Sequence, residues 1–130
     1  MCPVYINRIA SIHAESSNEK PYFSAQEPDY KEMITNANLR RRMSRMIKMG
    51  VACGLECMKD ILPEKVDAII TATGLGCLAD TEKFMNALMD NREQMPNPTA
   101  FIQSTFNTIG AQIALLLKIH AYNVTYVHRG

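Results

Sequence analysis

The stretch "VDAIITATGLGCLAD", residues 66–80, decides the fold class of this chain. Its first half is short and almost entirely apolar, which is the composition of a strand buried on both faces of a parallel sheet. Two glycines then indicate a turn, and "ADTEKFMNALMDN", residues 79–91, has the spacing of a helix that Asp80 caps. A strand, a glycine turn and a helix in this order predict an α/β protein.

Upstream of this stretch the sequence predicts a strand and a long helix. "VYINRIASIHA", residues 4–14, is rich in β-formers and has no helix cap before it. After a surface loop, apolar residues recur with helical spacing from an Asn cap, Asn36 or Asn38, as far as Ile61. The small residues of this helix lower its propensity, so we expect them to pack closely against another element: Gly50, Ala52 and Gly54.

Downstream the sequence predicts a loop, an apolar helix and a last strand. The prolines of "REQMPNPTAF", residues 92–101, indicate the loop. "NTIGAQIALLLKI", residues 107–119, has too few polar positions for a surface helix, so we expect it inside the molecule or at an interface. "NVTYVH", residues 123–128, completes a mostly parallel sheet of at least three strands with packed helices. So few strands indicate part of a larger fold or one partner of an obligate assembly.

Composition and charge exclude several classes of protein. The 130 residues form at most one domain, and a net charge of +1 provides no global field to attract nucleic acid. No stretch approaches the roughly 18 apolar residues of a membrane span, and the first residues lack the apolar core of a secretory signal. We therefore expect a cytoplasmic protein whose four cysteines remain thiols. Cys53 and Cys57 share a helix face, but no His or second Cys pair completes a metal site.

The glycine turn allows a second interpretation. Gly74, Gly76 and Ala79 fit the G-x-G-x-x-G/A pattern of a dinucleotide site. However, Asp80 would compete with a pyrophosphate for the helix N-terminus, and the acidic residue about twenty positions on, Glu93, lies in a loop. A tight strand-to-helix turn is therefore the favoured interpretation, and a small dinucleotide-binding module is the alternative.

Two further groups of residues carry charge or titrate near neutral pH. The basic run "LRRRMSRMIK" has no aromatic residue for base stacking, so it predicts a solvated face or a contact with an acidic partner rather than a nucleic-acid site. The three histidines, His13, His120 and His128, lie at element ends, and no Ser or Cys follows His128 as a nucleophile. We interpret them as exposed or hydrogen-bonded side chains.

Three segments in order resemble the N-terminal half of β-ketoacyl synthases, the condensing enzymes of the thiolase-like superfamily. They are "RRRMSRMIKMGVACGLECM" (40–58), "VDAIITATGLGCLADTEKF" (66–84) and "QSTFNTIGAQIALLLKIHAYNVTYVHRG" (103–130). The longer stretch "NPTAFIQSTFNTIGAQIALLLKIHAYNVTYVHRG" (97–130) is similar to the ketoacyl-synthase-like proteins of aryl polyene and flexirubin-type clusters. The resemblance implies a partial thiolase-like fold, with residues 1–130 an incomplete N-terminal domain whose C-terminal half is absent.

The resemblance also assigns positions. The family's Thr-Ala-Cys falls on His128, Arg129 and Gly130, so Gly130 stands where the nucleophilic Cys is expected. The family's gate to the acyl pocket falls near Phe106, and its strand that pairs across the dimer axis falls on residues 124–127. The implied acyl-pocket or interface candidates are Phe106, Asn107, Gln112, Thr125, Tyr126, Val127 and His128.

In this family an acyl group passes from an acyl carrier protein to the Cys thiolate, and a malonyl carrier is then decarboxylated with the help of two downstream residues. Without the thiol, the chain is not expected to condense substrates by itself. No catalytic residue, metal or cofactor is therefore predicted. Cys53, Cys57 and Cys77 do not follow a strand at a nucleophile turn, so none is expected to substitute.

The leading hypothesis is a ketoacyl-synthase-like domain of fatty-acid or polyketide biosynthesis, either a gene fragment or an inactive subunit. Its expected partners are a second copy or an active ketoacyl synthase, and an acyl carrier protein. The alternative is a fragment of an active 3-oxoacyl-[acyl-carrier-protein] synthase. Carrier proteins are acidic, so the expected docking residues are Arg40, Arg41, Arg42 and Arg45.

Overall fold

The computed structural model of the chain describes residues 3–14, 25–94 and 96–128. These residues form six α-helices, one 3-10 turn and two strands. In chain order the elements are α1 (Tyr30–Met33), α2 (Ala37–Arg42), α3 (Arg45–Cys57), the 3-10 turn (Pro63–Lys65), β1 (Ala68–Thr73), α4 (Leu78–Asp90), α5 (Pro98–Ser104), α6 (Thr108–Leu117) and β2 (Tyr122–Val127).

The two strands pair in parallel, which confirms the α/β fold class. Ala68 lies opposite Tyr122, and Thr73 lies opposite Val127. A parallel pair needs a long crossover connection, and here α4, α5 and α6 provide it. The strand count was wrong, however, because the described residues contain two strands instead of at least three.

The strand expected at residues 4–14 does not form. Apart from an isolated antiparallel bridge between Ala14 and Ala25, this segment lies outside the sheet, and most of its apolar side chains are exposed, with Val4 at 96%. Arg8 fastens it to the end of α3, where its guanidinium donates to the Lys59 carbonyl at 2.8 Å and to the Asp60 carboxylate at 3.3 Å. Strand composition alone does not make a strand, because a neighbouring strand supplies the hydrogen bonds and the packing.

The long helix expected from Asn36 or Asn38 to Ile61 is two helices. Asn36 caps the first, since its Oδ1 accepts hydrogen bonds from the backbone N–H groups of Asn38 and Leu39 at 3.1 Å. Met43 then takes an extended conformation that buries its side chain in the core. Ser44 caps α3 by accepting from the Ile47 N–H, and α3 ends at Cys57 rather than Ile61. The chain therefore turns where the apolar spacing predicted continuity.

Two helix starts also differ from the expectation. The N-cap of α4 is Cys77, and Asp80 lies buried in the first turn instead of capping it. Within the expected loop 92–101, α5 begins at Pro98, because the Asn97 Oδ1 accepts from the Thr99 N–H at 2.9 Å. Asn followed by Pro is a common start for a helix, so this signal was present in the sequence.

The core lies where α3 crosses α6. Gly54 allows the close approach, because a Cβ atom there would lie 2.5 Å from the Ile113 side chain. Gly50 meets Ile109 in the same way at 2.8 Å, which confirms the expected role of the small residues. One face of α6 is buried at this contact, whereas Leu115 on another face is 60% exposed. The buried core residues are Ile34, Met43, Ile47, Val51, Cys77 and Ile113.

Candidate functional site

The carboxyl ends of β1 and β2 lie side by side at one edge of the sheet. The backbone N–H of His128 donates to the Thr73 carbonyl at 3.1 Å, so the pairing continues past the last residue of β2. Two residues before the end of each strand, the hydroxyls of Thr71 and Thr125 are 2.5 Å apart. In open parallel sheets ligands bind outside the carboxyl ends of the strands, so this edge is the candidate functional site.

The turn after β1 has its shape because of Gly76. This residue has φ of +61°, a conformation that favours glycine, and its N–H donates to the Thr73 hydroxyl at 2.8 Å. The ring of Phe106 lies directly on it, where a Cβ atom would overlap with the ring carbons. The Phe106 ring therefore occupies the space beside Gly76 that a pyrophosphate would need. This favours the interpretation of the segment as a tight turn.

A cavity of about 480 Å³ opens between this turn, the sheet and the two core helices; we name it the strand-end cavity. Phe106 forms one wall and is itself 48% exposed. The volume is within the range of ligand pockets, and most of the walls are apolar. The lining residues are Met46 and Gly50 from α3, Thr71, Ala72 and Thr73 from β1, Leu75, Gly76 and Cys77 from the turn, Phe106, Ile109 from α6, and Thr125 from β2.

Neither Cys77 nor Cys53 is an activated thiol. Burial raises the pKa of Cys77, and the neighbouring Asp80 carboxylate raises it further. Burial is also the main reason why the pKa of Cys53 is raised, with Cys57 adding to the effect. Since the thiolate is the nucleophile, Cys77 and Cys53 are not prepared for acyl transfer, although Cys77 lies at a helix start.

The structure brings together only part of the candidate set. Phe106 and Thr125 share the strand-end cavity. Asn107 is exposed at the start of α6, where its side chain makes no capping bond. Gln112 lines a different cavity, between helices. Gly130, Arg129 and Cys2 lie outside the described residues. The remaining candidates are exposed at the end of β2: Tyr126, Val127 and His128.

Of the four arginines expected to dock a carrier protein, two bind other groups of the chain and two do not. Arg40 donates to the Ile34 carbonyl, and the Nε of Arg45 lies 2.5 Å from the Glu27 carboxylate. Arg41 and Arg42 are exposed, and neither forms an ion pair with any residue that the structure describes. The expected docking patch of four arginines is therefore reduced to Arg41 and Arg42 as freely available charges.

Several lining residues of the strand-end cavity were not predicted from the sequence. Met46 and Gly50 read as ordinary core positions of a helix, and Leu75 as part of a turn. No local signal distinguishes them, because the cavity exists only where α3, β1 and α6 meet. The Thr71 and Thr125 hydroxyl pair likewise depends on the register of two strands that are distant in sequence.

No group of three or more His, Cys, Asp or Glu within residues 3–14, 25–94 and 96–128 is placed to hold a metal ion. Over the same residues, no single helix is long and apolar enough to cross a membrane. The helices α5 and α6 reach that length and composition only as a pair, and they meet at 108°.

A family match covers most of the chain. Residues 13–125 match the family described as beta-ketoacyl synthase, N-terminal domain. This range includes both strands except for the last two residues of β2, and all six helices. No curated protein matches the chain significantly.

Comparison with solved structures shows the fold. A match with a TM-score of 0.59 is a chain from the ketosynthase ApeO in complex with its chain length factor ApeC, from Xenorhabdus doucetiae. The two sequences are 22% identical, and the match covers 88% of this chain and 43% of that one. The chain thus spans less than half the length of the protein it matches.

Proposed function

The chain belongs to the β-ketoacyl synthase family, with the N-terminal domain at residues 13–125, and on that premise we propose that it holds an acyl chain beside Phe106 in complex with a second ketosynthase-family chain. The observation that carries the proposal is the strand-end cavity. It is largely apolar, and it lies at the sheet edge where parallel α/β proteins bind ligands. An aryl polyene or related polyketide product is the favoured pathway class, with fatty-acid synthesis the other.

Phe106 is the residue proposed to limit the acyl chain. Its ring closes one side of the strand-end cavity and rests on Gly76, which has no side chain to push it away. In a complex with the ketosynthase encoded beside it, we expect Phe106→Ala to lengthen the products. Phe101→Ala is the matched control, because Phe101 packs against Phe84 with tilted rings, outside the cavity. Unchanged product lengths in an intact complex would remove the acyl-pocket assignment.

The partner is proposed to cover β2. Within the described residues this strand pairs only with β1, so its other edge is open. Open edges and exposed aromatic side chains are typical of surfaces that pair with another chain. A solved protein of similar fold is a ketosynthase in complex with its chain length factor, which supports a ketosynthase-family partner.

Co-purification tests this interface. We expect Tyr126→Glu, on a side chain that is 61% exposed, to abolish capture of the neighbouring ketosynthase, because it buries a charge in the interface. The matched control is Leu62→Glu, at 59% exposure in the loop before the 3-10 turn, which should leave capture unchanged. Equal capture with both variants would exclude β2 as the interface, and no capture of the wild type would end the partner proposal.

We propose that the chain does not condense by itself, because the resemblance places Gly130 at the Cys position. Mass spectrometry after incubation with acyl and malonyl carrier proteins tests this. No acyl adduct on the chain is expected. An adduct on any cysteine would instead support the alternative, a fragment of an active 3-oxoacyl-[acyl-carrier-protein] synthase, and so would a Cys followed by two His in the gene beyond codon 130.

An acyl carrier protein is the proposed acidic partner of Arg41 and Arg42. Both side chains are exposed, and complementary charge steers such encounters. We expect Arg41→Glu with Arg42→Glu to weaken carrier binding at low salt, whereas Lys83→Glu on the exposed side of α4 serves as the control. Equal binding by the two variants would end this assignment.

Carrier-dependent chemistry and the free thiols of Cys53, Cys57 and Cys77 both suit a cytoplasmic location.

A further inference from the structure

The two-stranded sheet has one covered face and one open face. Side chains alternate between the faces along a strand, and the paired register aligns this alternation in β1 and β2. Thr71 and Asn123 point toward α6, where both lie close to Gly110. We name the opposite side the outer sheet face; its residues are Ala68, Ile70 and Ala72 from β1 and Tyr122, Val124 and Tyr126 from β2.

The outer sheet face is uncharged and uncovered. Its side chains are aliphatic or aromatic, and the only polar groups among them are the two tyrosine hydroxyls. Ile70 is 65% exposed and Tyr122 is 66% exposed, so the described part of the chain does not cover them. Parallel sheets normally have helices over both faces. The outer sheet face therefore lacks a helical layer.

The dimensions of the outer sheet face fit one helix. Each strand has six residues, which span about 20 Å, and the two strands together are about 10 Å wide. A helix is about 10 Å across and rises about 1.5 Å per residue, so a helix of roughly 13 residues has the same outline.

Helix α4 has this length and an uncovered apolar side. It contains 13 residues, and its inner side packs on α5. Leu78, Met85 and Met89 are exposed, and their spacing of seven and four residues places them on one side of the helix. We name these three residues, with Glu82 between them, the α4 stripe. The chain thus exposes both a sheet face without a helix and a helix side without a partner.

The one charge in the α4 stripe has a chemical match on the outer sheet face. Glu82 is exposed in the monomer, and its carboxylate only accepts hydrogen bonds. Tyr122 and Tyr126 are both exposed on the outer sheet face, and a tyrosine hydroxyl is a donor. A helix that lies along the strands brings the carboxylate over a phenolic ring, so the charge has a donor when water is excluded.

We propose that α4 of a second copy of this chain lies on the outer sheet face, and that the exchange is reciprocal in a dimer with twofold symmetry. The α4 stripe packs against Ile70 and the tyrosine rings, and Glu82 accepts from a tyrosine hydroxyl. Twofold symmetry makes each copy provide both surfaces, so the dimer buries the two apolar surfaces that the monomer exposes. Two sheets packed face to face would leave the α4 stripe in solvent.

This contact is distinct from the partner contact proposed for β2. That partner pairs with the edge of β2 in the plane of the sheet, whereas α4 lies on the face of the sheet. Specific stable interfaces take roughly 20–30 residues from each side, and here each copy contributes about ten. We therefore expect a dimer that dissociates in the micromolar range, and a monomer below it.

Sedimentation velocity of the full chain across the micromolar range tests the proposal. The wild type should show a monomer–dimer equilibrium. Ile70→Glu on the sheet and Met85→Lys on α4 should each weaken association at least about 100-fold, because either leaves an unpaired charge in an apolar contact. The matched control is Leu62→Glu, at a position that is 59% exposed before the 3-10 turn, and it should associate like the wild type. All three side chains are exposed, so the variants should fold.

A mixture of the two disrupted variants identifies what lies on the sheet. In a mixed dimer, the unchanged α4 of Ile70→Glu covers the unchanged sheet of Met85→Lys, and the two introduced charges, which have opposite signs, meet at the other contact. The mixture should therefore dimerise although each variant alone does not. A wild type that stays monomeric, a mixture that stays monomeric, or a dimer that tolerates both substitutions would overturn the proposal. Sensitivity to Ile70→Glu but not to Met85→Lys would indicate two sheets packed on each other and would overturn α4 as the occupant.

Discussion

The contact between α3 and α6 and the hairpin of α4 and α5 both join two helices, but they differ in how close the helices come. At the first contact, glycines allow a neighbouring isoleucine to touch the helix backbone. At the hairpin, Phe84 and Phe101 meet ring to ring with centroids 5.6 Å apart, and Thr81 donates to the Ser104 carbonyl. The first contact therefore excludes added atoms, whereas the second is made by long side chains that keep the two backbones apart.

The two regions also differ in what they bury. Helix α3 buries Ile47, Val51 and Ala52, whereas the only buried residue of α4 is Asp80. The outer side of α4 exposes Met89 at 72%, with Leu78 and Met85 also exposed. Since exposed apolar side chains contribute little to folding, stability is concentrated on the α3 side. The apolar face of α4 remains available for contacts outside the chain.

The largest expected effect comes from filling the α3 and α6 contact. Gly54→Val places a side chain where a Cβ alone would lie 2.5 Å from Ile113, so we expect a loss of about 3 kcal/mol in urea denaturation. Gly74→Ala is the control, because the nearest atom to its Cβ, the His128 carbonyl oxygen, is 3.6 Å away. A cost for Gly54→Val below that of the control would show that the contact is not tight.

Part of the fold and of the site follows from sequence for identifiable reasons. The two strands and the apolar helix were predictable, because β-formers are frequent in both strands and a core helix has few polar positions. The expectation that β1 is buried on both faces was wrong, because its residues alternate between exposed and half-buried, with Ile70 at 65%. The segment 4–14 has the same strand composition, but its state depends on a neighbouring edge that sequence does not reveal. The break at Ser44 was hidden, since the apolar spacing continues across it.

The site was harder to predict than the strands. Gly76 is visible in the sequence as a turn residue, but what lies over it is Phe106, thirty positions away. Gln112 was expected with Phe106 because both belong to the segment around α6. The helix rotation instead places Ile109 at the strand-end cavity and Thr108 with Gln112 at the other. Neighbours in sequence thus serve different cavities.

A smaller effect is expected where the turn meets Phe106. Gly76→Ala adds a Cβ at φ of +61° and against the ring, so thermal unfolding should report a loss of about 2 kcal/mol. In a Phe106→Ala background only the backbone strain remains, and the cost should fall to about 1 kcal/mol. An equal loss of stability from Gly76→Ala in both backgrounds would mean that the Phe106 ring moves aside at no cost and that this contact is not tight.

Smaller again is the effect on the exposed side of α4. Met89→Ser removes an apolar side chain that is mostly in solvent, so we expect the free energy of unfolding to change by less than about 0.5 kcal/mol. Val51→Ala in α3, where the side chain is fully buried, serves as the comparison and should cost more than about 1 kcal/mol. Similar costs at the two positions would remove the distinction between the two regions.

The smallest effect concerns the polar cluster at the start of α3. Hydrogen bonds from Tyr30 and from Arg45 hold the pKa of Glu27 below its usual value of 4.5. A lowered folded-state pKa means that this contribution to stability is present above about pH 4.5 and is lost as the pH falls through the folded-state pKa. Tyr30→Phe removes the largest cause, so the difference in urea midpoint between it and the wild type should shrink from pH 6 to pH 3. A constant difference would contradict the role of Glu27.

The parallel pairing of β1 with β2 also imposes an order of events on folding. The two strands are separated in the chain by α4, α5 and α6, so their hydrogen bonds form only after a loop of about fifty residues has closed. Contacts of such long range slow folding. During synthesis β1 therefore leaves the ribosome with no partner strand, and the backbone groups that pair with Tyr122–Val127 remain unpaired until that strand arrives. We expect that delay to make this nascent chain a client of chaperones.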